Sequence, residues 1–166
     1  MRIIGGQFRG KHLATPKSEA IRPTSDRLRE SLFNILVNGF EALSRGARFA
    51  TFVDDGTEAR GLIRTNIDAM ALGGRTRLFK RDATRLGAIG PIEPFSLAFL
   101  DPPYRKGLAE PALTSLAGGG WLTADALCVV EEAADAEWLG AEGFTLVDKR
   151  DYGETTIRFL RFTGKS

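Results

Sequence analysis

Residues 95–106 read "FSLAFLDPPYRK". Six apolar or small residues end in an acid, followed by two prolines and a tyrosine. A short apolar run bounded by proline reads as a buried strand over 95–101, with Asp101 emerging at its carboxyl end. The same grammar repeats on both sides of this stretch. Upstream, "FATFVD" (49–54) and "TRLFKRD" (76–82) read as strands, and "EARGLIRTNIDAMALG" (58–73) between them as a helix closed by Gly73. Downstream, "GLAEPALTSLAGGG" (107–120) is a helix with Pro111 in its first turns, and "ALCVVEE" (126–132) is a strand. "FTLVDKRDYGETTIRFLRFT" (144–163) is a hairpin of two strands around Tyr152-Gly153-Glu154. Apolar strands alternating with helices predict an α/β fold: a mostly parallel sheet covered on both faces, with an antiparallel C-terminal hairpin at one edge.

Ahead of this core, residues 2–15 read as a short hairpin with a glycine-rich tip, "GGQFRG". Pro23-Thr24-Ser25-Asp26 opens a helix over 24–38. Leu28, Leu32, Ile35 and Leu36 share one face of it, and Gly39 is expected to end it. The chain therefore divides into an N-terminal hairpin and helix (1–39) and a core (40–166).

The 166 residues, 43% hydrophobic and 27% charged, suit one globular domain with a sizeable core. No run of 18 apolar residues predicts a membrane span, and "MRIIGGQFRGKHL" has no apolar secretory region. The single cysteine, Cys128, precludes an internal disulfide and points to a reducing, cytoplasmic setting. Its apolar run "ALCVVEE" makes it a buried small hydrophobe in preference to a nucleophile. Residues 1–30 hold seven Lys/Arg against three acids, a local balance of +4, so the rest of the chain sums to −2. A basic end on a slightly acidic body suggests a polyanionic partner met by that end, unless the clustering is an ordinary solvated surface.

Ligands of doubly wound sheets lie outside the carboxyl ends of the strands. There this sequence places acids repeatedly: Asp54-Asp55, Asp82, Asp101 and Glu131-Glu132. One would serve as a helix cap. The set suggests a polar or cationic ligand along that edge. At Asp101 the chemistry is more specific. Pro102 and Pro103 fix φ and remove two N–H donors, so the loop offers acceptors only. Tyr104 adds a flat ring and a hydroxyl. Acceptors beside an aromatic face suit an exocyclic –NH2 of a nucleobase taken out of its stack. Acceptors on both amine protons would draw the nitrogen lone pair out of conjugation and aim it at an electrophile, so that catalysis is mostly positioning. A simple turn after a strand is the plainer reading. No metal is called for, since the only histidine is His12 and no cysteines cluster.

"DPPY" after an apolar strand resembles the motif of amino-group methyltransferases that use S-adenosylmethionine. In order, "MRIIGGQFRGKHL", "IRPTSDRLRESLFNIL", "EALSRGA", "FLDPPY" and "DYGETTIRFLRF" resemble the bacterial 16S rRNA guanine-N2 methyltransferase family, small-subunit methyltransferase D, over nearly the whole chain. The second of these is the most specific. "LAGGGWL" resembles the glycine turn common in that fold. The resemblance implies a Rossmann-like class I methyltransferase, with S-adenosyl-L-methionine as cofactor and 16S rRNA or a small-subunit assembly intermediate as partner, acting as a monomer away from membranes. It implies that Asp101, Pro102, Pro103 and Tyr104 bind and orient the guanine amine. It assigns Asp54 to the cofactor ribose, Asp82 and Ala83 to its adenine, and Arg22, Thr24 and Asp26 to the segment closing over it. Arg2, Arg9 and Lys11 would grip rRNA phosphates. Asp82 as a helix cap, and Arg22 with Asp26 as a surface pair, remain open.

One part of the pattern is absent. Such a methyltransferase has seven strands, the first followed by a glycine-rich loop that lets the backbone approach the cofactor at a helix N-terminus. Six strands follow residue 49, and no such loop is found. After Asn38-Gly39-Phe40 the chain passes straight to "EALSRGA", which in the family ends the helix that follows the loop. A strand, a loop and a helix start, roughly 20 residues, are wanting between 39 and 41. A mobile segment skipped by the numbering is the favoured explanation. True loss of a central strand would leave a hole in the sheet. A DNA adenine-N6 methyltransferase shares the D-P-P-Y motif and stays open. So does a non-catalytic RNA-binding or assembly factor, if the loop is truly absent.

Overall fold

The computed structural model describes residues 1–15 and 23–164, with side chains described from residue 34 onward in the first helix. The elements run α1 (Pro23–Ser44), β1 (Ala50–Val53), α2 (Thr57–Ala69), β2 (Thr76–Phe79), β3 (Phe95–Leu100), α3 (Ala109–Gly118), β4 (Leu122–Ala133), β5 (Phe144–Tyr152) and β6 (Thr155–Phe162). Short 3-10 turns occupy Gly73–Arg75 and Ala83–Arg85. All six expected strands are present. No described helix is long and apolar enough to cross a membrane.

The missing segment is where expectation and structure part. α1 does not stop at Gly39. It runs through Gly39 to Ser44 and then turns at Gly46, with φ 111°. The helix is unbroken across Asn38-Gly39-Phe40. Leu36, Phe40 and Leu43 are spaced i, i+4, i+7 and lie fully buried on one face. Gly39 serves packing instead of termination: a Cβ there would collide with Cε1 of Phe52 on β1. The bare backbone lets that ring lie against the helix, 5.1 Å from the ring of Phe40.

The strands form two sheets instead of the single expected one. β1 and β2 pair in parallel, Ala50 opposite Thr76 through Val53 opposite Phe79. The second sheet has the order β3-β4-β6-β5. In it β3 and β4 are parallel, and the C-terminal hairpin adds two antiparallel pairings. Among the described residues no strand of either sheet precedes β1. β3 is an edge strand of its sheet, and Leu97 and Phe99 are 40% and 42% exposed.

Two compact units, Met1–Asp82 and Ala83–Ser166, follow the same division. In the first, α1 and α2 pack with the β1–β2 pair around Leu36, Phe40, Phe52, Ile63 and Leu72. The N-terminal segment closes this core with Ile3 and Leu13. It folds back on itself as the expected hairpin: Ile3 N–H donates to Lys11 O, Leu13 N–H to Met1 O and Gly10 N–H to Ile3 O, around an antiparallel bridge of Arg2 to His12. Helix side chains take further backbone groups. Glu41 accepts from Ile4 and Gly5 N–H at 2.9 and 2.8 Å, and Ser44 Oγ joins Phe8 N–H to Gly5 O. Buried Asn66 on α2 bonds both backbone groups of Ala14.

In the second unit, α3 covers the sheet around Leu113, Leu122, Cys128, Val130 and Leu160. Cys128 is buried, and burial pushes its thiol up to about 12, which suits packing and not nucleophilic chemistry. β4 starts at Leu122, four residues before the expected 126, because Trp121 anchors it. Its indole, 2% exposed, donates to Gly87 O at 2.8 Å. Gly120, at φ 74°, makes the turn from α3 that brings Trp121 into place.

Gly39→Ala tests the helix–strand contact. Overpacking there is expected to cost about 1–3 kcal/mol, more than the roughly 1 kcal/mol that alanine gains as a helix former. A urea midpoint at or above the wild-type value would show that the close approach is unimportant.

Candidate active site

The loop after β3 is built as the sequence suggests and is anchored in ways the sequence does not reveal. Asp101, Pro102, Pro103 and Tyr104 are all half-buried. Lacking N–H groups, the two prolines leave only carbonyl oxygens to a ligand. Tyr104 turns its hydroxyl onto the neighbouring strands. It donates to Glu131 Oε1 on β4 at 3.0 Å and lies 2.8 Å from Thr155 Oγ1 on β6. Arg105 takes a left-handed conformation, φ 60°, unusual for a residue with a side chain. Two acids hold it there: Glu132 Oε1 accepts its backbone N–H at 3.0 Å, and Asp135 its Nε at 2.9 Å.

Burial first, and then the nearby charges of Glu131 and Asp101, push the Tyr104 phenol up to about 12, against the opposing hydroxyl of Thr155. The ring is thus held neutral. Glu131 and Glu132 stand out in the sequence as strand-ending acids, but they sit inside β4, which continues to Ala133. Their partners could not be read there, because Thr155 comes beside Glu131 only through the antiparallel β4–β6 pairing.

The residues expected to meet a cofactor are divided. Asp54 follows β1, and its N–H donates to Phe79 O at the end of β2. Its Oδ1 accepts the Gly56 N–H at 2.7 Å, ahead of α2. Burial raises its carboxyl above the ordinary value, helped by Asp55 and opposed by the Gly56 N–H and Arg60. Asp82 is exposed beyond β2 and closes the first unit, while Ala83 opens the second with the 3-10 turn. Arg22 lies outside the described residues, as do the side chains of Thr24 and Asp26. Arg2, Arg9 and Lys11 are exposed on the N-terminal segment. The first unit carries fifteen Lys/Arg against nine Asp/Glu, the second eight against twelve. The basic character noted at the N-terminus thus extends over the whole first unit.

The fit to S-adenosylmethionine is partial. Asp54 and Asp82 offer carboxylates after neighbouring parallel strands, as the nucleoside part of such a molecule requires. A glycine cradle between a strand and a helix N-terminus has no counterpart among the described residues. Gly39 is inside α1 with the Phe52 ring against it, and the Gly56 N–H is taken by Asp54.

Comparison with known proteins bears on the same point. The family model described as Conserved hypothetical protein 95 matches residues 1–38 and 36–161. The chain is 36% identical to ribosomal RNA small subunit methyltransferase D of Escherichia coli strain K12, over 81% of this chain and 76% of that protein. It is 30% identical to the protein of that name from Haemophilus influenzae, over 97% and 93% of the two chains. A solved Escherichia coli structure described as a methyltransferase matches with TM-score 0.74 and 30% identity over 99% of both chains. A Haemophilus influenzae structure described as a methylase matches with TM-score 0.78 and 25% identity over 98% of both. The fold is therefore the Rossmann-like methyltransferase fold. The match to the family model breaks at residues 36–38, inside α1. The Haemophilus alignment spans 180 positions, and 97% of 166 residues fills about 161, leaving about 19 with no residue of this chain. That relative thus carries about as many extra positions as the segment wanting in this sequence.

Asp54 yields a test of its buried charge. Its raised folded value means that ionisation weakens the fold: its stabilising effect is present at low pH and lost as pH rises through the folded value. Asp54→Asn keeps the acceptor for Gly56 without the charge. It is expected to match or exceed wild-type stability at neutral pH, with the gap closing in acid. Denaturant titrations of both proteins across pH check this, and a variant less stable than wild type at neutral pH would refute it.

Proposed function

This chain belongs to the Conserved hypothetical protein 95 family, and on that premise we propose that it serves in S-adenosylmethionine-dependent methylation of ribosomal RNA, at the exocyclic N2 amine of a guanine in 16S rRNA. The methyl donor that the family implies is S-adenosylmethionine, which supplies the methyl group. The observation that carries the reading is the Asp101–Tyr104 loop. The Asp101 carboxylate and the proline carbonyls accept the two amine protons, and the Tyr104 ring lies against the base. Asp54 and Asp82 with Ala83 hold the nucleoside part of the donor, and Arg22, Thr24 and Asp26 close over it. Residues 1–39 face the RNA, with Arg2, Arg9 and Lys11 on phosphates, consistent with the positive balance of the first unit. We take the protein to work as a monomer in the cytoplasm, on rRNA or an assembling small subunit.

A second reading has its own observation. α1 runs uninterrupted through residues 36–38, where the match to the family model breaks, and the glycine cradle has no counterpart among the described residues. On that reading the chain binds rRNA through its basic unit and transfers nothing.

Full-length protein incubated with labelled S-adenosylmethionine and unmodified small subunits separates the two. The first reading expects N2-methylguanosine among the digested nucleosides, a loss of about 100-fold or more with Asp101→Ala, and a raised thermal midpoint with S-adenosylhomocysteine. RNA binding without transfer and without a midpoint shift establishes the second. N6-methyladenine in DNA would replace both with the adenine reading.

A further inference from the structure

Tyr104 has one hydroxyl proton, and its destination is determined by its neighbours. Glu131 is a carboxylate and only accepts, so the Tyr104 proton points to Glu131 Oε1 at 3.0 Å. Thr155 Oγ1, 2.8 Å away, then acts as donor to the Tyr104 oxygen. The hydroxyl has no proton left for a ligand, so the residue can present only its ring. The two partners come from different strands, Glu131 opposite Ile157 and Thr155 opposite Ala133 in the β4–β6 pairing. They grip the far end of the side chain from two directions. At the near end, Glu132 and Asp135 hold Arg105 in its left-handed conformation. A loop with two prolines and four side-chain anchors has little freedom left.

We propose that Glu131 and Thr155 are positioning residues: together they lock the Tyr104 ring in one orientation, with its face and not its hydroxyl offered to a planar base. This rests on the reading of Tyr104 as the base-stacking ring. It extends that reading to two side chains that touch neither base nor cofactor. The lock also withdraws the Tyr104 hydroxyl as a donor. Asp101 and the proline carbonyls then favour a base edge that presents an amine.

Full-length protein carrying tyrosine labelled with 13C at the ring carbon bearing the hydroxyl gives two resonances, from Tyr104 and Tyr152, assigned with Tyr152→Phe. In the wild type the Tyr104 signal is expected to titrate near 12. Glu131→Gln removes a charge that raises the phenol, so the titration should fall toward the ordinary 10.0. Guanosine 5′-monophosphate should shift the Tyr104 signal through ring stacking. That shift should shrink at least fivefold in Glu131→Ala and in Thr155→Val, which remove the contacts, and persist in Glu131→Gln and in Thr155→Ser, which keep the hydrogen bonds. A Tyr104 titration unmoved by Glu131→Gln would overturn the lock, as would a nucleotide response unchanged in Glu131→Ala or in Thr155→Val. If the wild-type ring ignores the nucleotide, the base-stacking reading falls, and the Glu131→Gln titration still decides whether Glu131 engages the ring hydroxyl.

Discussion

The contact of the Phe52 ring with the bare backbone of α1 at Gly39 is the constraint on which the first unit depends. It brings β1 onto α1, and with β1 comes its parallel partner β2 and the loop that carries Asp54. It also depends on α1 being one helix. Leu36 lies before Gly39 and Phe40 and Leu43 after it, and all three are buried in the same core. That needs unbroken helical phase across the residues where the match to the family model breaks. α1 keeps the phase, so the two matched segments meet within one element.

The consequence reaches the chemistry. The glycine cradle of a Rossmann-like methyltransferase does its work by exposing backbone N–H groups at a helix N-terminus. Residues 37–44 lie in the middle and last turns of α1, where the N–H groups are bonded within the helix. The glycine at the junction is packed against an aromatic ring and is closed to a ligand. By contrast, the loop after β3 in the second unit is held at both ends, by Glu131 and Thr155 on the tyrosine and by Glu132 and Asp135 on the arginine.

Much of the fold was legible because its signals are local. Six strands and three helices follow from apolar runs, helical spacing and turn residues, and the loop after β3 follows from Asp101 and two prolines. Gly39 looks like a helix stop because glycine usually is one, yet here it answers a packing demand from Phe52, 13 positions later. The N-terminal segment does fold back as a hairpin, but the bonds of its remaining backbone groups to Glu41, Ser44 and Asn66 have no local signal. A long-range contact overrode short-range preference at Gly39.

By itself the sequence determined the α/β pattern, the acid and two prolines of the loop after β3 and the buried character of Cys128. These depend on residue type and spacing along the chain, which the sequence displays directly. Only the tertiary structure decided that residues 23–44 form one continuous helix and that the strands divide into two sheets, because helical phase is a matter of which residues share a core. It alone set the direction of the Tyr104 hydroxyl as well. That proton goes to Glu131 because β4 and β6 pair antiparallel and bring side chains 24 positions apart to one point, and strand pairing leaves no mark in the local sequence.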